Sequence, residues 1–504
     1  MDGGLKTSMG FQNEKGRTMP VGKSEFKQWM VDLRNDFHQH PELSTHEKRT
    51  TKQICKVLNT LNVQVRTFDD ITGVVGVLKG NNQRSPKNRT LALRADIDAL
   101  PMQEAGEKTY KSINSGVMHS CGHDANTAIL LGVAKKISDS DLLNKIDGTI
   151  KFIFQPAEEK LGGAKAMIKR GVLENPPVDQ IIAGHMDPNL PVGTVGVFTR
   201  IGHAASDPFE LVIKGKGTHG ARPHEGINPI SAGGFFVSSL ESIIPRHIDP
   251  AQSAVISIGT FHAGEAGNVI PDQAVIKGSV RTHDKSVRNR IFSAMKNLIR
   301  GLDDMFGTRC ELVFRPGAPL GINDKEVCKS LYTASVEVLG RENVRILPFI
   351  MGSDDFYYFA QKCPGAMMRF GCASGEKPAG HPLHSPLFDI HEDVLEIGAD
   401  VLVKAVENFF NQPLHPYTRG LMACIPVPGK TKPGEKLGAI PGIVPTPIGA
   451  LWGCSFRNRC HLAGPDCAAE DLELKKLPDQ RSFRCVRPRV DGTGKITANA
   501  GEMI

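Results

Sequence analysis

The sequence has no apolar run approaching the roughly 20 residues that a membrane-spanning helix needs, so a membrane is reachable only through a partner. Met1 to Ser24 is Gly- and Lys-rich without an apolar core, which argues against an export signal and predicts a disordered start at 1–22. None of the eleven cysteines falls in a C-x-x-C pair. An odd, scattered set in a chain with no export signal points to reduced thiols and a cytoplasmic setting. Positive charge is also scarce where nucleic acid would need it. Of the formal +7, residues Pro413 to Ile504 carry +5, from 13 Lys+Arg against 8 Asp+Glu. The body is therefore near neutral, without basic runs interleaved with aromatics, and nucleic-acid binding is excluded as its role.

What is present is ordinary globular usage, 40% hydrophobic and 23% charged, over a length of 504 residues that allows about three folded units. Glu25 to about Leu61 reads as helical. Val74 to Leu78, Leu91 to Arg94, Ile150 to Phe154 and Ile181 to Ala183 read as buried strands, with helices at Ala125 to Ile137 and Gly163 to Arg170. Alternation of this kind predicts an α/β unit with a mainly parallel sheet. Between Ile201 and Phe314 the texture shifts to longer strands (Phe209 to Ile213, Ala254 to Thr260, Ala274 to Arg281, Cys310 to Phe314) around helices at Pro229 to Ile244 and Lys285 to Phe306. That segment reads as an inserted α+β domain. Helical patterns at Asp324 to Leu339, Asp354 to Lys362 and Asp393 to Phe410 then return the chain to the first unit. The division expected is a catalytic domain from 23–200 and 315–411, an inserted domain at 201–314, a Cys/Pro-rich extension at 412–490 and a disordered end at 491–504.

Polar side chains with metal-ligand chemistry stand where the strand patterns stop: Asp96 and Asp98, Cys121 and His123, Glu158 and Glu159, His185, and later His384. In open α/β sheets the crevice beyond the carboxyl ends of the strands is where ligands bind. Thiolate, imidazole and carboxylate together suit Mn, Zn, Co or Ni better than Mg or Ca. Five ligands exceed the need of one tetrahedral ion and match two divalent metals with positions left open for an amide.

Four motifs, Leu93-Arg-Ala-Asp-Ile-Asp-Ala-Leu-Pro101, Met118-His-Ser-Cys-Gly-His-Asp124, Gln155-Pro-Ala-Glu-Glu159 and Pro382-Leu-His-Ser385, resemble the M20 metallopeptidases. Within that family they are most similar to the amidohydrolases that include hippurate hydrolase and the auxin-conjugate hydrolases, over about Lys23 to Asn411. The resemblance implies metal ligands at Cys121, His123, Glu159, His185 and His384, with Glu158 as general base. Asp96, Asp98 and Asp124 would orient the ligating imidazoles, and Asp98 counts with Glu158 among the catalytic residues. The implied reaction is hydrolysis of N-acyl amino acids to acid plus amino acid, with a dipeptidase or carboxypeptidase as the alternative.

Gly217-Thr-His-Gly-Ala-Arg-Pro-His224 and Gly267-Asn-Val-Ile-Pro271 resemble the dimerisation, or lid, domain of the same family. By that resemblance His219 would donate to the oxyanion across a homodimer interface, and Asn268 and Arg281 would hold the substrate carboxylate. One position departs from the family pattern: Asn126 stands where a second histidine is common. The expectation is altered metal affinity or rate, with the site retained.

After Asn411, His415-Pro-Tyr-Thr-Arg-Gly-Leu-Met-Ala423, Ile425-Pro-Val-Pro-Gly429 and the stretch Cys454 to Cys460 resemble the C-terminal extension of oligopeptide/dipeptide ABC-transporter ATPases. An ABC peptide transporter is the partner this implies, with a non-catalytic peptide-binding role as the rival reading. Gly429-Lys430-Thr431 mimics the end of a P-loop, but the required first glycine falls on Cys424, so nucleotide binding is not supported. Cys454, Cys460, Cys467 and Cys485 are a candidate tail cluster. Similar tails imply a [4Fe-4S] cluster, and zinc or free thiols remain open.

Overall fold

The computed structural model describes residues 25–81, 89–315, 317–374 and 381–410, together with scattered residues between 453 and 486. The expectations for 1–22, for 491–504 and for most of 412–490 lie outside the described residues. Two helices open the fold, α1 (Glu25–Gln39) and α2 (Lys48–Thr60). The single helical stretch expected here is broken around Pro41, which has no backbone N–H to continue the ladder. There follow β1 (Gln64–Arg66), β2 (Val74–Lys79), β3 (Arg89–Asp96), α3 (His123–Ser138), α4 (Leu142–Lys145), β4 (Gly148–Gln155), α5 (Gly163–Lys169), β5 (Gln180–Pro191) and β6 (Val195–Phe198).

The chain then leaves through β7 (Ile201–His203) into β8 (Ala205–Lys214), β9 (Thr218–His219), α6 (Pro229–Leu240), α7 (Ile243–His247), β10 (Ala254–Ala263), β11 (Val269–Ile270), β12 (Gln273–Thr282), α8 (Lys285–Phe306) and β13 (Arg309–Phe314). It returns with β14 (Gly321–Ile322), α9 (Lys325–Leu339), β15 (Val344–Leu347), α10 (Tyr357–Ala360), β16 (Gly365–Ala373) and α11 (Asp393–Phe410).

The large sheet has eight strands in the order β1-β2-β4-β3-β5-β16-β6-β15. Its centre is parallel, through β4–β3, β3–β5 and β5–β16. Beyond that centre β6–β15 is also parallel, while β1–β2, β2–β4 and β16–β6 are antiparallel, so four of the seven pairings are parallel and the mainly parallel sheet that was expected carries antiparallel neighbours. Central strands read as continuous apolar runs because both faces are covered. Every residue of β4 and of β16 is buried. One face packs on α1, α3, α9 and α11 through Met30, Leu130, Leu331 and Leu402. On the other lie α5 and α10, through Met167 and Phe359.

The inserted segment forms its own four-stranded antiparallel sheet, β10-β12-β8-β13. On β8, Phe209, Leu211 and Ile213 alternate inward, as a half-buried strand requires. They meet a stripe on α8 at Val287, Ile291, Met295, Ile299 and Leu302, spaced by helical turns. Asp284 caps that helix by accepting from the backbone N–H groups of Ser286 and Val287, and Gly307 ends it with φ 69°. Leu211 has no exposed surface in this core. Leu211→Ala is expected to destabilise the protein by about 2–5 kcal/mol, read as a lower urea midpoint for the inserted unit.

Candidate metal centre

The parallel register of the sheet explains why distant residues meet. Asp96 closes β3 opposite Gln155, the last residue of β4, and on β3 and β5 the pair Arg94 and Ala183 stands two residues before Asp96 and His185. Asp96, the Glu158 loop and His185 therefore emerge at one edge. Immediately after β3, the Asp98 carboxylate organises that loop. Its Oδ1 accepts from the Glu158 amide at 3.1 Å and its Oδ2 from the Glu159 amide at 3.1 Å and the Ser44 hydroxyl at 2.6 Å. Ala157 turns the chain with φ 51°, and its amide donates to Glu47 at 2.8 Å. A non-glycine residue in that region is uncommon and is held there by its surroundings.

His123 begins α3 behind Gly122, whose φ is 82° and whose added Cβ would stand 2.7 Å from Met186 Cγ. A glycine answers both demands. His123 Nδ1 donates to the Asp98 carbonyl at 2.9 Å, which leaves Nε2 to face the site. His185 is set the same way, Nδ1 donating to the Met186 carbonyl at 2.9 Å. Fixing one ring nitrogen defines the tautomer and frees the other as a ligand.

The free atoms converge. Cys121 Sγ is 3.6 Å from His185 Nε2 and 3.3 Å from His384 Nε2, which is 3.4 Å from Glu159 Oε1. Cys121, His123 and His185 form one set of three donors within 4.8 Å of one another, and Cys121, Glu159 and His384 form a second. The two sets share Cys121. His123 Nε2 is buried without a hydrogen-bond partner. An orphaned buried nitrogen costs about 1–3 kcal/mol unless something satisfies it. A divalent cation fits, since the donors are sulfur, imidazole nitrogen and carboxylate oxygen.

Electrostatics agrees with that fit. Burial pulls the His185 imidazole down to about 4, with Arg369 adding to the effect, so His185 is a neutral donor at neutral pH. Burial pushes the Cys121 thiol far above its ordinary range, and a coordinated metal supplies the charge that deprotonates such a thiol. Glu158 is driven well above the ordinary carboxyl range by burial and by Asp354, Glu159 and Asp355.

The other sequence candidates are placed as follows. Asp96 accepts from Arg94 at 2.8 Å and from the Asn126 amide at 2.7 Å, so the residue that departs from the family pattern still touches the centre's support. Asp124 faces away, accepting from Arg34 at 2.8 Å. His219 lies exposed on β9, its Nδ1 accepting from the Ala221 amide at 3.0 Å, beside an open cleft of about 1180 Å³ that Phe261 and Asp272 also line. Exposed Asn268 adjoins it, its carbonyl accepting from the Gly220 amide at 2.7 Å. Arg281 donates to the Met351 carbonyl at 2.9 Å. Among the described residues no hydrogen bond or ion pair joins His219, Asn268 or Arg281 to the metal-centre side chains.

In the tail, the Cys454 amide donates to the Cys467 carbonyl at 2.8 Å, and Cys454, Cys460 and Cys467 are free thiols. Among the described residues the candidate tail cysteines form no set of three donors within 4.8 Å of one another.

Sequence reasoning passed over Arg94, Asp354 and Asp355. Arg94 is buried and ion-paired with Asp96 at 2.8 Å, Asp354 at 3.2 Å and Asp355 at 3.3 Å. Its signal was available: a guanidinium inside an apolar strand requires buried carboxylates. Asp354 and Asp355 read as the start of a helix, yet α10 begins only at Tyr357.

Residues 92–408 match the model of peptidase family M20/M25/M40. The chain belongs to this family. Residues 403–467 match a second model, the oligopeptide/dipeptide transporter C-terminal region. Among curated proteins, this M20 chain is 38% identical to thermostable carboxypeptidase 2 of Saccharolobus solfataricus, over 74% of its length and 94% of that protein's. It is 35% identical to an IAA-amino acid hydrolase of Arabidopsis thaliana, over 75% and 85%. A solved dinuclear metal-binding M20 peptidase of Bacillus subtilis superposes with a TM-score of 0.66 at 32% identity, covering 78% of this chain and all of that one. The M20 assignment makes the chain a hydrolase of amide bonds.

Replacing Asp98 by Asn puts an NH2 donor against one of the two backbone N–H groups that the carboxylate now satisfies, leaving an oxygen for the other. Asp98→Asn is expected to weaken metal binding about 10–100-fold, measured by calorimetric titration of metal-free protein with Mn²⁺ or Zn²⁺.

Proposed function

We propose that this M20 chain hydrolyses N-acyl amino acids to acid plus amino acid, with two divalent metals held by Cys121, His123, Glu159, His185 and His384. The observation that carries the reading is the pair of donor sets sharing Cys121, with Glu158 beside them, outside both and grouped instead with His123 and Glu159 and with Asp354 and Asp355. Metals bound there supply polarisation of the scissile carbonyl and a water of lowered pKa. Glu158 takes the proton from the attacking water and returns it to the leaving amine. Asp98 holds the Glu158 and Glu159 amides, so one carboxylate turns to the donors and its neighbour stays free for proton transfer.

The IAA-amino acid hydrolase relative favours an acyl group joined to an amino acid, and the carboxypeptidase relative keeps a peptidase as the alternative. Either substrate carries a free carboxylate, the group we assign to Asn268 and Arg281. His219 completes the site as donor to the oxyanion from a second copy of the chain. In support, β10 is an edge strand of its sheet, and Phe261 on it and Ile230 and Phe235 on α6 are exposed, as a surface awaiting a partner requires. We place the activity in the cytoplasm, where the free cysteines stay reduced.

A different reading, capture of peptides beside an ABC transporter, rests on the match at 403–467. The two separate on amino-acid release from N-acetyl, N-benzoyl and indoleacetyl amino acids and dipeptides, with chelated protein compared against protein given back Mn, Zn or Co. Metal-restored release is expected, and binding without release under any metal favours capture. Glu158→Gln is expected to keep its metal while turnover falls at least about a hundredfold. Near-normal turnover removes Glu158 from its role.

A further inference from the structure

His384 is the donor with the least secondary structure to hold it. It sits with φ 63° in the segment between β16 and α11, and its side chain is half exposed. Its backbone anchor is the amide, which donates to the Ser120 carbonyl at 2.8 Å. A histidine on such a loop gives up conformational freedom on binding metal, unless other contacts have already placed it.

Those contacts come from the opposite end of the sequence. Arg34 on α1 is 1% exposed. Its Nε donates to Asp124 Oδ2 at 2.8 Å, one residue past the His123 donor. Through its second terminal nitrogen it donates to Asp389 Oδ1 at 2.9 Å, five residues past His384. One rigid guanidinium thus bridges the two ligand-bearing segments. The ring of Tyr110 lies 4.8 Å beneath it, and the Tyr110 hydroxyl donates to the other oxygen of Asp389 at 2.7 Å. Lys108 donates to the Phe388 carbonyl at 2.8 Å, and the Ala105 amide to the Pro386 carbonyl at 2.9 Å, so the loop is gripped along its length.

We propose that Arg34, Tyr110 and Asp389 form a clamp that presets His384 for the metal it would share with Cys121 and Glu159. None of the three is a ligand; they are positioning residues, and the proposal rests on the two-metal reading above. Because His384 enters one donor set and is absent from the set of Cys121, His123 and His185, loosening the clamp at Asp389 acts on one metal and spares the other. A lysine at position 34 cannot replace the fork, since a single ammonium on a flexible stem does not hold two carboxylates in fixed geometry.

The test uses the metal-free full-length chain titrated anaerobically with Co²⁺, with stoichiometry and affinities from calorimetry and the cobalt–thiolate absorption of Cys121 as a second readout. Asp389 is partly exposed, so Asp389→Asn leaves the fold standing. The wild type is expected to bind two Co²⁺. Asp389→Asn should weaken one of them about 10–100-fold and leave the other within twofold, with the cobalt–thiolate band retained. Tyr110→Phe should weaken the same metal to a smaller degree, and Asp389→Glu should restore most of the loss. Two unchanged affinities in both Asp389→Asn and Tyr110→Phe overturn the clamp, as does equal weakening of both metals. A wild type that binds a single Co²⁺ overturns the two-metal reading itself, and the clamp with it.

Discussion

The centre depends on the Asp98 carboxylate. One of its oxygens holds the Glu158 amide; the other holds the Glu159 amide and the Ser44 hydroxyl, while the Asp98 carbonyl orients His123. Charge-assisted bonds to a fully buried acceptor are stronger than neutral ones. Three segments remote in sequence are thereby locked to the end of β3 before any ligand arrives. The strained turn at Ala157 is tolerable for the same reason: its amide and the two that follow it all have acceptors.

A second constraint is charge. Asp96, Glu158, Asp354 and Asp355 are all buried around one guanidinium, that of Arg94. One positive charge does not balance four carboxylates, and the imbalance appears as the raised Asp355 carboxyl, pushed up to about 7 by burial and by Asp354 against the opposing pull of Arg94. Divalent cations bound in the neighbouring donor sets would supply the missing charge. The charge distribution therefore favours cations where the donor geometry does.

Much of this was legible in the sequence, for identifiable reasons. Strands such as Val74 to Leu78 and Ile150 to Phe154 carry β-branched and aromatic runs, and Asp284 and Asp324 announce their helices by capping them. The six residues from Cys121 to His384 that now surround one point stood out as ligand types placed after strand patterns. What escaped was β16: Gly365 to Ala373 is buried throughout, shows no alternation, and holds two methionines and an arginine that propensity does not assign to a strand. The short strands β6 and β15 were missed because four residues carry little periodic signal. Asp354 and Asp355 were hidden by a helical pattern whose first residues are spent on Arg94.

The loop that carries those two aspartates also joins the inserted unit to the centre. The His283 ring lies 3.8 Å from that of Phe349, Arg281 donates to the Met351 carbonyl, and the Ala204 amide at the entry to β8 donates to the carbonyls of Ile350 and Gly352. Three residues of the inserted unit thus contact residues 349–352, directly before the carboxylates that flank Glu158. Any rotation of that unit must break these bonds or drag the loop with it. Arg281 is half-buried and gives this loop one terminal nitrogen. A guanidinium has donors to spare for a substrate carboxylate. Under the proposed reading the same side chain would keep the inserted unit registered on the centre while receiving the substrate carboxylate, which would link recognition of that carboxylate to the placement of Glu158.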